Sequence, residues 1–276
     1  MIERVAARPW LWPAALLAVV AAALLLSDAA GSWLQVANPD PARATEVTAA
    51  LDGLPDDAMV LVGMDPDLGT YPEIRATVRA ALSELLERGA RIAFVSYTPE
   101  GRAAAAAEVE RLIAGGADAG RVLDLGFVAG AEAGLVLSVT QFGAAGASFP
   151  AAFADAAAGI AAFDMTLVVG GLDIGPRTWV EQVVTRVPDM PVLAVVPTFL
   201  QPEVAPYLRT GQLAGLLATV RDGATFASGV GDGEAQPAAL PMLAGMLVAL
   251  GVIGRALYVV RRPDATPGRR EPDEQA

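Results

Sequence analysis

The sequence predicts an α/β fold, in which a membrane-spanning helix precedes and another follows one domain with a mostly parallel sheet of five strands. Three observations lead to this prediction. Two long apolar runs lie near the ends of the 276-residue chain. Between them, short apolar runs alternate with amphipathic stretches, as in strands buried on both faces and joined by helices. The chain is also 54% hydrophobic and only 18% charged, which is more apolar than an ordinary soluble domain. We therefore predict a single Rossmann-like domain between two membrane helices.

The first apolar run covers residues 10–30 and follows a short tail, residues 1–9. It has no charged residue between Trp10 and Leu26, and its length is at the short end of what crosses a bilayer. Trp12 lies where aromatic side chains anchor a span at the interface. A cleaved signal peptide is the alternative, since two arginines precede the run. We predict a retained helix because the run is longer than the usual signal-peptide core.

The second apolar run covers residues 238–260 and ends at two arginines that open the tail, residues 261–276. Its single charge, Arg255, is close enough to the end of the run to reach the interface. The tail is polar and mixed in charge, which predicts disorder. Arginines flank both runs on their outer sides. The positive-inside rule therefore predicts cytoplasmic termini and an extracytoplasmic domain within residues 31–236.

Five apolar segments between the two spans predict strands, and their continuity indicates burial on both faces. In chain order, they cover residues 58–64, 91–97, 122–127, 165–169 and 191–196. Strands that alternate with helices are joined by right-handed crossovers. We therefore predict a parallel sheet with helices on both of its faces.

Helices are predicted between these strands from apolar residues at helical spacing and from start and stop signals. Asp40 and Pro41 stand at the start of the first predicted helix, residues 42–51. Pro176 is placed for the first turn of the fourth, residues 179–187. The third is rich in alanine and closes with paired glycines. In chain order, the predicted helices cover residues 42–51, 74–86, 101–115, 179–187 and 201–220.

The composition excludes several kinds of chemistry. The chain has no Cys, no His and no Lys, and its 19 basic residues are all Arg. It therefore lacks thiolates, imidazoles, disulfides and any lysine that could form a Schiff base. A net charge of −12 argues against a nucleic-acid partner. These absences favour a module that is not an enzyme and that needs no cofactor.

Polar side chains follow the predicted strands at the edge where open parallel sheets bind ligands. We expect them to form a ligand-binding rim consisting of Asp65, Asp67, Ser96, Tyr97, Thr98, Asp173 and Thr198. Three of these side chains, Asp65, Asp67 and Asp173, are carboxylates of the kind that binds Mg²⁺. The alternative is that Asp and Thr at strand ends cap the next helices or form turns.

The segment Asp65-Pro66-Asp67 also resembles the Asp-x-Asp of haloacid-dehalogenase-like phosphatases. In that family the two aspartates are the nucleophile and the acid/base catalyst, and a Ser or Thr after a second strand binds phosphate, as Ser96 would here. The family also uses a Lys, which this chain lacks, and a late acidic pair, for which Asp173 is the available residue. The resemblance implies a Mg²⁺-dependent hydrolase.

The predicted helix over residues 201–220 has an apolar side and carries Tyr207, Gly211 and Gln212. Its apolar side would pack in the core or would lie against the membrane or a partner helix. These three residues are therefore candidates for a partner-facing or membrane-facing surface.

Four segments, in a fixed order along the chain, form a longer pattern. The chain departs from the corresponding family pattern at Val128 and at residues 225–227. The first segment is an Asp-x-Asp followed by Thr and Pro-Glu, and the second is a Ser followed by Pro-Glu-Gly. The third segment is Trp-Val-Glu-Gln. The fourth contains Pro-Tyr-Leu, Gly-Gln-Leu and Gly-Leu-Leu. The segments cover residues 65–73, 96–101, 179–182 and 206–217. The chain resembles a family of uncharacterised bacterial membrane proteins in which two transmembrane helices flank a Rossmann-like domain. In that family, Lys stands at the position of Val128 and Glu-Tyr-Glu at 225–227.

Together these observations predict a membrane-anchored extracytoplasmic module that serves as an accessory or ligand- or partner-binding subunit of a membrane complex. The resemblance places it in the bacterial cytoplasmic membrane. We expect the lipid bilayer and another membrane protein as its partners, and no nucleic acid. The alternative is a phosphatase-like hydrolase whose cofactor, Mg²⁺, is held by the carboxylates of the rim.

Overall fold

The computed structural model describes residues 42–142, 149–170 and 173–229, together with the single residue Gly251. Both predicted spans and both predicted tails lie outside these residues, apart from that glycine. Within the described part of the chain, no helix combines the length and the apolar composition needed to cross a bilayer. The spans, and the topology inferred from them, stay predictions.

The described residues form a sheet of six strands in which every pairing is parallel. The strands are β1 (Met59–Asp65), β2 (Arg91–Ser96), β3 (Val122–Phe127), β4 (Met165–Gly170), β5 (Val192–Val195) and β6 (Gly215–Leu217). The five predicted strands are confirmed, whereas the predicted number of five is wrong because β6 adds a sixth. The spatial order is β3-β2-β1-β4-β5-β6, which is the doubly wound order of Rossmann folds.

Helices connect the strands and cover both faces of the sheet. They are α1 (Ala42–Asp52), α2 (Tyr71–Glu87), α3 (Pro99–Ala114), α4 (Glu132–Ser138), α5, α6 (Gln201–Arg209) and α7 (Val220–Gly229). Helix α5 begins as an α-helix over Pro176–Trp179 and continues as a π-helix over Val180–Val184. The first four predicted helices are therefore confirmed, and Pro176 occupies the predicted first turn. The sequence pattern did not predict α4 or α7.

The predicted helix over residues 201–220 is wrong in its second half. Helix α6 ends at Arg209, because Gly211 takes a left-handed conformation with φ +75°. The Gln212 amide then donates to the carbonyl of Tyr207 at 2.9 Å, which closes the helix end. Beyond this turn the chain forms β6, which pairs with β5 and is buried throughout.

The side chains of a strand point alternately to the two faces of the sheet. An apolar layer therefore lies on each face, between the strands and the helices that cover them. In β1, Val60, Val62 and Met64 face the layer that contains α1, α2, α3 and α7. Met59 and Leu61 face the opposite layer, which contains α4, α5 and α6. Both faces of the sheet are thus covered, which explains the nearly continuous apolar strands of the sequence.

The central pair of strands, β1 and β4, marks the point where the chain changes direction across the sheet. The chain leaves β1 into α2 on one face and leaves β4 into α5 on the other. Asp65 at the end of β1 pairs with Gly170 at the end of β4. Gly170 has φ +78°, and an added Cβ would lie 2.5 Å from Pro66 Cα. The two strand ends are therefore tightly packed at the position where ligands bind in folds of this order.

A close contact between Gly63 and Trp179 gives a test of this packing. A Cβ at position 63 would lie 2.4 Å from Trp179 Cζ2, and the Trp ring is fully buried. We expect Gly63→Ala to destabilise the protein by about 1–3 kcal/mol through overpacking, measured as a lower Tm of the full-length chain. The control is Gly53→Ala, where the nearest atom would be at an ordinary 3.5 Å. An equal Tm for the two variants would contradict the tight packing.

Candidate functional site

The candidate site is centred on Asp65, which ends β1 and is only 3% exposed. Its Oδ1 atom accepts hydrogen bonds from the backbone amides of Tyr97 and Thr98, each at 2.8 Å. The hydroxyl oxygens of Ser96 and Thr98 lie within hydrogen-bond distance of the same atom, at 2.8 and 2.9 Å. The structure thus brings Asp65, Ser96, Tyr97 and Thr98, four of the predicted rim residues, together at one edge of the sheet.

The start of helix α3 is packed directly against this carboxyl group. Thr98 caps the helix by accepting the Gly101 amide at 3.0 Å, while its hydroxyl donates to Asp65. Gly101 has no room for a side chain, because a Cβ would lie 2.6 Å from Asp65 Oδ1 and 2.2 Å from the Met64 carbonyl oxygen. Asp65 thus joins the ends of β1 and β2 to the first turn of α3.

Two opposing effects act on the pKa of Asp65. Burial raises it, because a charged carboxylate loses its hydration inside the protein. The hydrogen bonds from Ser96, Tyr97 and Thr98 act in the opposite direction, and burial is the larger effect. The pKa is therefore higher than the ordinary 3.8. The second carboxyl oxygen, Oδ2, is also buried and has no hydrogen-bond partner among the described residues.

Asp67 has a different environment, although it is only two residues away. It is exposed, and its carboxylate accepts the Gly69 amide to form a local turn. Its backbone carbonyl accepts the amides of Thr70 and Tyr71 at the start of α2. These contacts match the turn-forming alternative from the sequence for Asp67.

The remaining rim residues lie in other loops of the same edge. Asp173 is exposed, and its backbone carbonyl accepts the Thr178 hydroxyl at 2.8 Å. Thr198 donates to Glu73 Oε1 from its amide at 2.8 Å and from its hydroxyl at 2.6 Å. Glu73 was not among the predicted rim residues, and its contact links the first turn of α2 to the β5–α6 loop.

The carboxylates of the rim do not combine into a metal site. Among the described residues, no group of three or more Asp or Glu side chains is placed to hold a metal ion. Asp65, Asp67 and Asp173, which the sequence suggested for Mg²⁺, are therefore not in such a group. Asp67 Oδ1 is engaged in its own turn, and Asp65 Oδ1 already accepts several hydrogen bonds.

The candidate partner-facing residues Tyr207, Gly211 and Gln212 surround the end of α6. The Tyr207 ring packs against the apolar layer of α4, α5 and α6, and its hydroxyl donates to Glu181 at 3.3 Å. Gly211 forms the left-handed turn, and Gln212 Oε1 accepts the Thr210 hydroxyl at 2.8 Å. Through these contacts, the three residues stabilise the end of α6.

Exposed apolar side chains are concentrated at the same edge of the sheet. Six large apolar side chains are exposed among the described residues, and four of them lie at or just after the ends of strands. These four are Leu68 after β1, Phe127 at the end of β3, Phe199 after β5 and Val220 after β6. We call them the carboxyl-edge surface. No pattern in the sequence predicted this surface, because single apolar residues in loops are common.

Comparisons of the chain with protein-family models, curated proteins and solved structures find no match. The resemblance to two-span membrane proteins therefore stays a prediction. Function must be inferred from the residues themselves, and two features stand out. One is a carboxyl group enclosed at the end of the central strand, and the other is the carboxyl-edge surface around it.

The structural role of Thr98 can be tested by removing its hydroxyl. We expect Thr98→Val to destabilise the protein by about 1–2 kcal/mol, because α3 loses its cap and Asp65 loses one donor. Thr98→Ser keeps both hydrogen bonds and should stay close to wild type. Thermal unfolding of the full-length chain measures both variants. A Tm for Thr98→Val equal to that of Thr98→Ser would show that the hydroxyl has no such role.

The raised pKa of Asp65 predicts a pH dependence of stability. A carboxyl group whose folded-state pKa lies above its unfolded value binds more protons when folded, so its contribution to stability is lost as the pH rises above about 3.8. Asp65→Asn is neutral at every pH. The free energy of unfolding of Asp65→Asn minus that of wild type should therefore increase from pH 4 towards neutrality. Chemical unfolding of both proteins across this range, followed by tryptophan fluorescence, measures it. A difference that does not vary with pH would contradict the raised pKa.

Proposed function

We propose that this chain is a membrane-anchored α/β module whose extracytoplasmic domain binds another membrane protein through the carboxyl-edge surface. The observation that carries the proposal is the exposure of Leu68 and Phe199, at 54% and 53%, in the loops that follow β1 and β5 at the same edge of the sheet. Apolar side chains that are exposed at one edge of a fold offer a surface for a partner. The membrane anchoring rests on the two apolar runs and on the arginines beside them.

The loops that carry Leu68 and Phe199 are joined to each other. Thr198, next to Phe199, donates two hydrogen bonds to Glu73 in the first turn of α2, which begins three residues after Leu68. An interface formed by preorganised loops loses less conformational entropy on binding than one formed by separate loops. The Glu73–Thr198 contact therefore supports the proposal that these two side chains act together.

Charge at the same edge suggests the chemistry of the partner. Exposed acidic side chains lie beside the apolar ones, after β1 and β4 and in the first turns of α3 and α6. They are Asp67, Glu100, Asp173 and Glu203. The nearby base Arg177 pairs with Glu181 at 3.0 Å and approaches Glu203 at 3.8 Å. A partner segment with apolar and cationic side chains would complement this edge.

The alternative, a Mg²⁺-dependent hydrolase, requires a carboxylate that reaches substrate or metal. Asp65 is enclosed by β2 and α3, and its Oδ1 serves the local fold. The exposed Asp67 and Asp173 are not joined with it in a metal-binding group. These observations favour the binding module over the hydrolase.

Paired substitutions test the carboxyl-edge surface. We expect Leu68→Ser with Phe199→Ser to reduce recovery of the partner about tenfold or more, since loss of apolar burial at both positions removes more than about 1.4 kcal/mol of binding energy. The measurement is quantitative mass spectrometry of membrane proteins that copurify with the tagged full-length chain in mild detergent.

Leu137→Ser is the matched control, because Leu137 is 70% exposed on α4 and lies outside the carboxyl-edge surface. The proposal requires a membrane protein whose recovery falls in the double variant and stays at the wild-type level in the control. Equal recovery of every copurifying membrane protein from the two variants would contradict it. The Tm of each variant verifies that the domain is folded.

A further inference from the structure

Arg43, in the first turn of α1, joins the starts of two other helices at the edge where the strands end. Its Nη1 atom donates to Asp222 Oδ2 at 3.2 Å, and this ion pair is largely buried, with 14% of the arginine and 2% of the aspartate side chain exposed. The hydrogen-bond network orients the Gln201 side chain with its oxygen towards Arg43. That oxygen accepts the two terminal nitrogens of the guanidinium at 2.7 and 3.0 Å. One arginine therefore holds the first turns of both α6 and α7.

Phe199, a member of the carboxyl-edge surface, lies between two residues that are held by other helices. The residue before it, Thr198, donates two hydrogen bonds to Glu73 on α2. Gln201, two residues after it, is held by Arg43 on α1. Phe199 is itself 53% exposed, so much of its position is set by the backbone that these two contacts hold.

Val220, a second member of the same surface, begins α7 beside the other partner of Arg43. Asp222 Oδ2 accepts the Ala218 amide at 3.2 Å as well as Arg43, and the Asp222 amide donates to the Thr219 hydroxyl at 3.0 Å. These hydrogen bonds close the turn that contains Val220. Arg43 thus connects this closed turn to the start of α6.

We propose that Arg43 is a positioning residue for partner binding, because it holds the loops of Phe199 and Val220 in the arrangement that the partner recognises. This role rests on the proposed function, in which the carboxyl-edge surface binds a membrane protein. A guanidinium that bonds to two helix starts fixes their separation, and side chains that are fixed before binding lose less conformational entropy in the complex. Only 14% of the Arg43 side chain is exposed, so it acts through these loops.

Two variants remove the contacts of Arg43 in different ways. Gln201→Ala removes the link to α6 and keeps the ion pair with Asp222, so its Tm should stay close to that of wild type. Arg43→Gln also removes the cation beside the buried Asp222 and therefore costs more stability. We expect each variant to reduce recovery of the partner by about threefold to tenfold. The partner is the copurifying membrane protein whose recovery falls in Leu68→Ser with Phe199→Ser.

Arg88→Gln is the matched control, because Arg88 holds the other end of α1. Arg88 Nη1 pairs with Asp52 Oδ1 at 2.6 Å, and Arg88 Nε pairs with Glu84 Oε1 at 2.5 Å. This variant weakens the attachment of α1 at the opposite edge of the sheet, and it should leave recovery of the partner at the wild-type level. An equal fall in Arg88→Gln and in Gln201→Ala would show that only the attachment of α1 matters, and it would overturn the proposal.

A double-mutant cycle with Phe199→Ser separates positioning from a general loss of stability. If Arg43 acts through Phe199, Gln201→Ala lowers recovery of the partner in the wild-type background and changes it little in the Phe199→Ser background. A fall by the same factor in both backgrounds, or unchanged recovery in Gln201→Ala, would overturn the role of Arg43. Either result would leave the proposed function standing, since that function is contradicted only by undiminished recovery in Leu68→Ser with Phe199→Ser.

Discussion

The buried carboxyl group of Asp65 is the constraint on which the centre of the domain depends. A carboxylate with 3% exposure loses most of its hydration, and the donors from β2 and the following turn offset that loss at one oxygen only. Those donors stay in place because Thr98 caps α3 and because Gly101 leaves no side chain between the helix and the carboxyl group. The ends of β1 and β2 and the start of α3 therefore form one hydrogen-bonded unit.

Much of this arrangement could be predicted from the sequence, for reasons of periodicity. Continuous apolar segments revealed five strands, and Asp65 and Ser96 stand at the ends of two that lie side by side. The sixth strand has only three residues and follows a turn that depends on the backbone angle of Gly211. Its Leu216 and Leu217 face opposite apolar layers. Two adjacent leucines are equally compatible with a helix, so the sequence did not distinguish the two structures.

The contacts that complete the edge have no local signal in the sequence. Glu73 and Thr198 are 125 residues apart, and their hydrogen bonds follow from the position of β5 in the sheet. The three rim carboxylates were grouped because parallel strands end at one edge. The ends of parallel strands predict that these residues lie at one edge of the sheet, but they do not predict where each side chain points. The sequence therefore could not distinguish the enclosed Asp65 from the exposed Asp67 and Asp173. The apolar loop residues were missed because exposure depends on the fold.

The buried and the exposed residues at this edge of the sheet have different roles. Polar groups that suggested chemistry in the sequence mostly hold loops together, while apolar side chains and acids face outwards. Photo-crosslinking in native membranes from a photoreactive amino acid at position 199 tests this division most directly, with wild-type Asp65 and with Asp65→Asn. The account predicts the same adduct to a membrane protein in both backgrounds, and none from position 137. Loss of the adduct in folded Asp65→Asn, or equal labelling from position 137, would contradict it.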